Sequence, residues 1–194
     1  MKIYFVRHGK STSNRDGLIG GHKDFELDSE GIKQAELLSE RLKEEEFDEI
    51  ITSDLVRASK TAEIINKNHG KEIVLDETLR EQNWGYLEGE QASILNEKYS
   101  GPEYFLNKRP KRGESILEYK EKVENRFEEL LQEYNGKKIL VVSHGGFIKL
   151  ALMYFFNEEL ENHSKYKQGN TALSILDVKN KELILNNCEK HLGY

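Results

Sequence analysis

Lys138-Ile139-Leu140-Val141-Val142-Ser143-His144-Gly145-Gly146 places four consecutive apolar residues before a serine, a histidine and two glycines. A short apolar run bounded by turn residues reads as a strand buried on both faces. The chain opens on the same pattern: Lys2 to Val6 reads as a strand and stops at Arg7-His8-Gly9. A third apolar stretch, Asp48 to Thr52, stops at Ser53-Asp54, with Arg57 one turn further on. Helical periodicity fills the intervals. One helix is expected from about Ser29 to Glu46, capped by Asp28, with Ile32, Ala35, Leu38 and Leu42 inward. A second opens at Ser53-Asp54 and buries Leu55, Ala58, Ala62 and Ile65. A third, from about Ser115 to Tyr134, turns Ile116, Val123, Phe127, Leu130 and Tyr134 inward, and another runs through Phe155. Ile73 to Leu75 reads as a short strand, and 171–177 with 182–187 as a terminal hairpin. Strands alternating with helices predict an α/β domain with a mostly parallel sheet. One domain is expected over residues 1–194.

Composition bounds the function. The chain has 194 residues, with 29 Lys plus Arg against 35 Asp plus Glu, a formal net charge of −6. That acidic surface disfavours long-range capture of nucleic acid or anionic membrane. It does not exclude a small anion, because a site is built from local charge. One cysteine, Cys188, excludes an internal disulfide framework and a multi-cysteine metal site. No apolar run approaches the ~18 residues of a membrane span, and the N-terminal stretch lacks the apolar length of a signal peptide. A cytoplasmic location is expected. Oligomeric state, monomer or homodimer, stays open.

In an open α/β sheet, ligands bind beyond the carboxyl ends of the strands. If the three strands are parallel neighbours, Arg7, His8, Arg57 and His144 meet there. Arginine's planar fork suits phosphate oxygens. Histidine serves as nucleophile, proton shuttle or metal ligand. Two guanidiniums repel a metal cation, so this set favours a phosphoryl group. Nearby positive charge also pushes a histidine below its usual pKa of ~6.5, which keeps it a neutral nucleophile. The glycine after each histidine is expected to leave room for ligand against the backbone.

At these residues the sequence resembles the histidine phosphatase superfamily, the phosphoglycerate mutase-like proteins, and its phosphatase branch in particular. Arg7-His8-Gly9-Lys10-Ser11-Thr12-Ser13-Asn14 resembles the family's R-H-G-x-[ST]-x-x-N opening. Leu27 to Gly31 resembles the start of its first helix, with Asp28 in place of Ser or Thr. Further matches are Ser53 to Ala62 with S-D-L-x-R-A-x-x-T-A, and Leu79-Arg80-Glu81 with Gly85 and Glu88-Gly89. Gly113-Glu114-Ser115 and Ser143-His144-Gly145-Gly146 complete the set, all in the family's order.

The resemblance implies a three-layer α/β/α fold with a small cap insertion around residues 82–113. It implies a phosphomonoester hydrolase acting on a small phosphorylated metabolite, with no metal and no cofactor. His8 would be the nucleophile that becomes phosphohistidine. Arg7, Arg57 and His144 would hold the phosphoryl oxygens, Asn14 would donate to them, and Glu81 would be the general acid and base. Ser11, Gly21 and His22 would border the mouth. Trp84 and Tyr86 would flank the leaving group or pack the cap. The basic run Lys108-Arg109-Pro110-Lys111-Arg112 is either a solvated loop or a cap that reads a second anion. His69, His163 and His191 read as surface residues, and Cys188 as a bystander. A cofactor-dependent phosphoglycerate mutase is the alternative. Such mutases read E-R-x-x-G where this chain has Glu81-Gln82-Asn83-Trp84-Gly85, which removes a cation. A catalytically weak phospho-ligand-binding regulator is the second alternative.

Overall fold

The computed structural model describes residues 1–98 and 108–193. At its centre, β1 (Lys2–Arg7) and β4 (Lys138–Ser143) run parallel, with Val6 beside Val142 and Arg7 beside Ser143. β2 (Glu49–Thr52) lies parallel on the other side of β4, and β3 (Ile73–Leu75) parallel outside it. β5 (Leu173–Asp177) and β6 (Glu182–Cys188) form an antiparallel hairpin joined to β1. The order is β3-β2-β4-β1-β5-β6.

Side-chain alternation along β1 and β4 divides the core in two. Tyr4, Val6, Leu140 and Val142 face α2 (Ser29–Leu42) and α3 (Val56–Asn66), packing on Leu38, Leu42, Ala58 and Ile65. Ile3, Phe5, Ile139 and Val141 face the opposite layer. That layer is α5 (Ile116–Glu133) and α6 (Gly145–Phe155), which bring Val123, Phe127, Phe147 and Ala151. Both faces are covered, which is why these strands carry uninterrupted apolar runs. Among the described residues there are also two short helices, α1 (Thr12–Arg15) and α4 (Ser93–Lys98). In the cap region, the described residues give a 3-10 turn at Gly85–Leu87 besides α4. Pro102 lies outside the described residues.

Three local expectations are corrected. α2 stops at Leu42 rather than Glu46, because residues 43–46 offer no apolar side chain and the chain turns to set Phe47 edge-on to Tyr4 at 5.1 Å. Ile32 is 40% exposed, so the apolar part of the buried face of α2 is Ala35, Leu38 and Leu42. α3 begins at Val56, not at Ser53-Asp54. Asp54 instead forms a two-point ion pair with Arg80, and Asp24 accepts the Val56 N–H at 2.9 Å. Asp28 does cap α2, accepting from Gly31 N–H at 2.7 Å. Ser115 and Glu118 form a reciprocal capping box at the start of α5.

Candidate active site

A cavity of about 320 Å³ opens beyond the carboxyl ends of the strands, and Arg7, His8, Asn14, Arg57 and Glu81 are in its wall. The register explains the convergence. Arg7 pairs with Ser143, so His8 leaves β1 beside the point where His144 leaves β4; the two imidazoles lie 5.1 Å apart.

His8 is held in one orientation. Its backbone N–H donates to Ser143 O at 2.9 Å, and its carbonyl accepts from Asn170 Nδ2 at 3.1 Å. Nδ1 stands 2.7 Å from Gly9 O. A carbonyl only accepts, so Nδ1 carries the proton and Nε2 keeps its lone pair. Burial, then the Arg57 and Arg7 charges, hold this imidazole well below its ordinary pKa. The room left by Gly9 is not used by a ligand, contrary to expectation. A Cβ there would sit 2.5 Å from Gly31 O, so the glycine lets the start of α2 pack against the loop.

The two arginines donate to backbone carbonyls rather than to carboxylates. Arg57, 2% exposed, donates to Gly21 O at 2.7 Å and to Lys23 O at 3.1 Å. Arg7 donates from Nη1 to Gln168 O at 2.8 Å, and its buried Nε has no partner among the described residues. Neither forms an ion pair there. Burial lowers both guanidinium pKa values, and the Glu81 charge works the other way on each. An entering anion offsets the cost of that burial.

His144 is fully buried at the N-cap of α6, behind His8. Its Nε2 lies 2.9 Å from Ser53 Oγ, and its buried Nδ1 has no partner among the described residues. Burial and the neighbouring Arg57 and His8 hold it well below the ordinary range.

Glu81 reaches the site through a chain of contacts. Ser143 Oγ donates to Leu79 O at 2.7 Å, tying the end of β4 to the turn that carries Glu81. The carboxylate accepts from Gln82 N–H at 3.0 Å and Gly146 N–H at 3.1 Å. Tyr119, 2% exposed, donates its hydroxyl to Arg80 O at 3.0 Å and stands against the Glu81 carboxyl. Burial and that carboxyl push the phenol well above 10. Tyr119 and Lys149, both in the cavity wall, escaped the sequence reading. Neither residue falls within one of the motifs that pointed to the site.

Other expected site residues have different places. Ser11 is fully buried and does not border the cavity; its hydroxyl caps α1 and meets Ser13 Oγ at 2.8 Å. Asn14 does reach the wall. Its Oδ1 accepts from Ser11 and from Asn170 Nδ2 at 3.1 Å, which leaves the amide nitrogen for a ligand. Gly21 borders the cavity, but His22 does not: its Nε2 meets Glu81 O at 2.9 Å and braces that residue's backbone. Trp84 lines the cavity, whereas Tyr86 is 53% exposed beneath Lys111 and Arg112. Arg109 pairs with Glu118 at 3.2 Å. Those three basic side chains are therefore engaged outside the cavity wall. His69, His163 and His191 are half-buried rather than surface groups. His191 bridges Arg41 and Thr171. Cys188 accepts from Arg41 at 3.2 Å. Among the described residues no group of three or more His, Cys, Asp or Glu is arranged to hold a metal, and no helix is long and apolar enough to cross a membrane.

Two adjacent histidines, two arginines and a braced glutamate meet at parallel strand ends, and residues 3–189 match the histidine phosphatase superfamily (branch 1). The chain belongs to that superfamily. It is 35% identical over 159 residues to phosphoglycerate mutase-like protein 4 of Arabidopsis thaliana, covering 76% of this chain and 68% of that one. It is 37% identical over 150 residues to probable phosphoglycerate mutase GpmB of Escherichia fergusonii, covering 75% and 70%. Among solved structures, it resembles phosphoserine phosphatase from Entamoeba histolytica in complex with 3-phosphoglyceric acid, with TM-score 0.86, 29% identity and 98% of both chains covered. It also resembles the alpha-ribazole phosphatase from Shigella flexneri, with TM-score 0.88, 26% identity and 97% of both chains covered.

Proposed function

We propose that this chain is a metal-independent phosphomonoester hydrolase working through a phosphohistidine on His8. The observation that carries the reading is the His8 Nδ1 contact with Gly9 O at 2.7 Å, which leaves Nε2 unprotonated near the Arg57 and Arg7 charges. Nε2 attacks phosphorus, the P–N bond forms and the P–O ester bond breaks. Glu81 gives its proton to the departing alkoxide. Glu81 then takes a proton from water, whose oxygen attacks phosphorus; the P–N bond breaks and inorganic phosphate leaves. Arg7 and Arg57 hold the oxygens through both steps. With the Ser53 hydroxyl donating to Nε2 of His144, that ring's proton sits on Nδ1, buried next to His8 rather than in the cavity wall. A cavity of about 320 Å³ suits a small ester. The phosphatase names of similar structures support hydrolysis.

The mutase reading is favoured by the names of the curated relatives. Against it, Gln82 is 4% exposed and donates to Glu114 O at 3.0 Å, so it offers no cation to a second acidic group. The test is turnover of p-nitrophenyl phosphate, with and without EDTA, together with acid-labile phosphoryl label on the wild type and on His8→Ala. Turnover insensitive to EDTA and label lost with His8 are expected. Undiminished turnover in His8→Ala overturns the mechanism. With 3-phosphoglycerate, isomerisation faster than phosphate release would select the mutase.

A further inference from the structure

Asn170 lies outside the cavity wall, yet it touches two residues inside it. Its Nδ2 stands 3.1 Å from His8 O and 3.1 Å from Asn14 Oδ1. Two backbone groups fix how both amides are turned. A carbonyl only accepts, so the Asn170 atom facing His8 O is the nitrogen. An N–H only donates, and that of Ser11 stands 3.2 Å from the same Asn14 atom that Asn170 meets, so this atom is the oxygen. Both protons of the Asn170 amide are therefore engaged, one by the nucleophile's own carbonyl and one by Asn14.

Asn170 is itself held from both sides. Gly169 N–H donates to Asn187 Oδ1 at 2.7 Å, and a Cβ on Gly169 would overlap the Glu189 carboxylate. Thr171 N–H donates to Arg7 O at 3.0 Å, and the Thr171 hydroxyl donates to Asn170 O at 2.7 Å. Arginine only donates, so His191 Nδ1 accepts from Arg41. His191 Nε2 then carries the proton and donates to Thr171 Oγ1 at 3.0 Å. Both chain neighbours of Asn170 are thus pinned by residues 187–191. Ser11 lies three positions from Asn14 and ties it only to its own loop, whereas Asn170 ties it to the end of β1. Resting on the hydrolase reading above, we infer that Asn170 is a positioning residue: it docks Asn14 on His8, so that the Asn14 amide nitrogen and the His8 imidazole meet one phosphoryl group.

The test is a double-mutant cycle read by inorganic phosphate as competitive inhibitor of p-nitrophenyl phosphate hydrolysis. Asn14→Ala, Asn170→Ala and the double variant are compared with the wild type. Losing a hydrogen bond to a charged partner weakens phosphate by about tenfold in Asn14→Ala. Asn170→Ala should approach the same loss although it touches no ligand, with kcat/KM falling alongside. The double variant should lose little more than either single one, because both remove the same contact; independent effects would multiply to about a hundredfold. Asn170→Asp keeps the shape and loses both donors, and it runs the same cycle should the alanine variant fail to fold. Unchanged phosphate inhibition in the Asn170 variant overturns the inference. So do losses that multiply in the double variant, which would mean that Asn170 acts without Asn14. Undiminished hydrolysis in His8→Ala, by contrast, overturns the underlying mechanism; hydrolysis lost in that variant, with losses that multiply in the cycle, overturns the role of Asn170 alone.

Discussion

The backbone N–H of Gly146 donates to Oε2 of Glu81 at 3.1 Å, and a Cβ on Gly146 would overlap Oε1 of the same carboxylate. It would also lie 3.1 Å from the Tyr119 ring, so the carboxylate has nowhere to retreat. The second glycine after His144 therefore keeps space for a side chain of the protein itself.

Gly146→Ala should displace Glu81 without touching the phosphate subsite. A misplacement near 1 Å costs about 100-fold in rate. The loss should be large for an alkyl phosphate, whose leaving oxygen needs a proton, and small for p-nitrophenyl phosphate, whose leaving group does not. Comparing kcat on the two esters checks this; equal losses would remove Glu81 from the acid role.

Arg57→Lys keeps the charge and loses the fork. Lysine cannot reach Gly21 O and Lys23 O while also holding two phosphoryl oxygens. The expected drop in kcat/KM is about 100-fold. Inorganic phosphate should raise the Tm of the wild type more than that of the variant, because stabilisation follows ligand affinity. Equal shifts would place phosphate elsewhere.

Folding stability should fall as the pH drops below about 6.5. His8 and His144 are both held well below their ordinary values in the folded chain. Unfolded, they take up protons that the folded chain refuses. Their contribution is complete above the unfolded pKa and is lost as pH falls toward the folded values. Each costs roughly 1.4 kcal/mol per pH unit in that window. His191, lowered to about 4, acts in the same direction but is partly screened by solvent. Urea denaturation at pH 7.5, 6 and 5 measures the slope; a flat profile would contradict the buried neutral pair.

Ser115→Ala removes the capping box of α5 at a cost of about 1 kcal/mol. The residue before it, Glu114, accepts from Asn83 N–H at 2.7 Å and from Gln82, so the cap also steadies the segment after Glu81. A Tm fall of about 2–4 °C is expected by calorimetry, with a smaller effect for Glu118→Gln.

The sequence by itself pointed to a mostly parallel sheet and to strand ends at Arg7-His8, at Ser53-Asp54 with Arg57, and at His144, because these follow from local patterns: continuous apolar runs, each ending in a polar turn; that the strands are neighbours was left to the fold. Tertiary structure decided the assignments that depend on who fills which space. Gly9 answers to Gly31 and Gly146 to Glu81, 22 and 65 positions away along the chain. Ser11 turned inward to cap α1, and His22 turned to the backbone of Glu81. Ile32 stayed exposed although it keeps helical spacing. Lys149 and Tyr119 became site residues only when α5 and α6 packed on the same face of the sheet. Periodicity sets which residues turn inward; contacts between distant segments set what each inward residue meets.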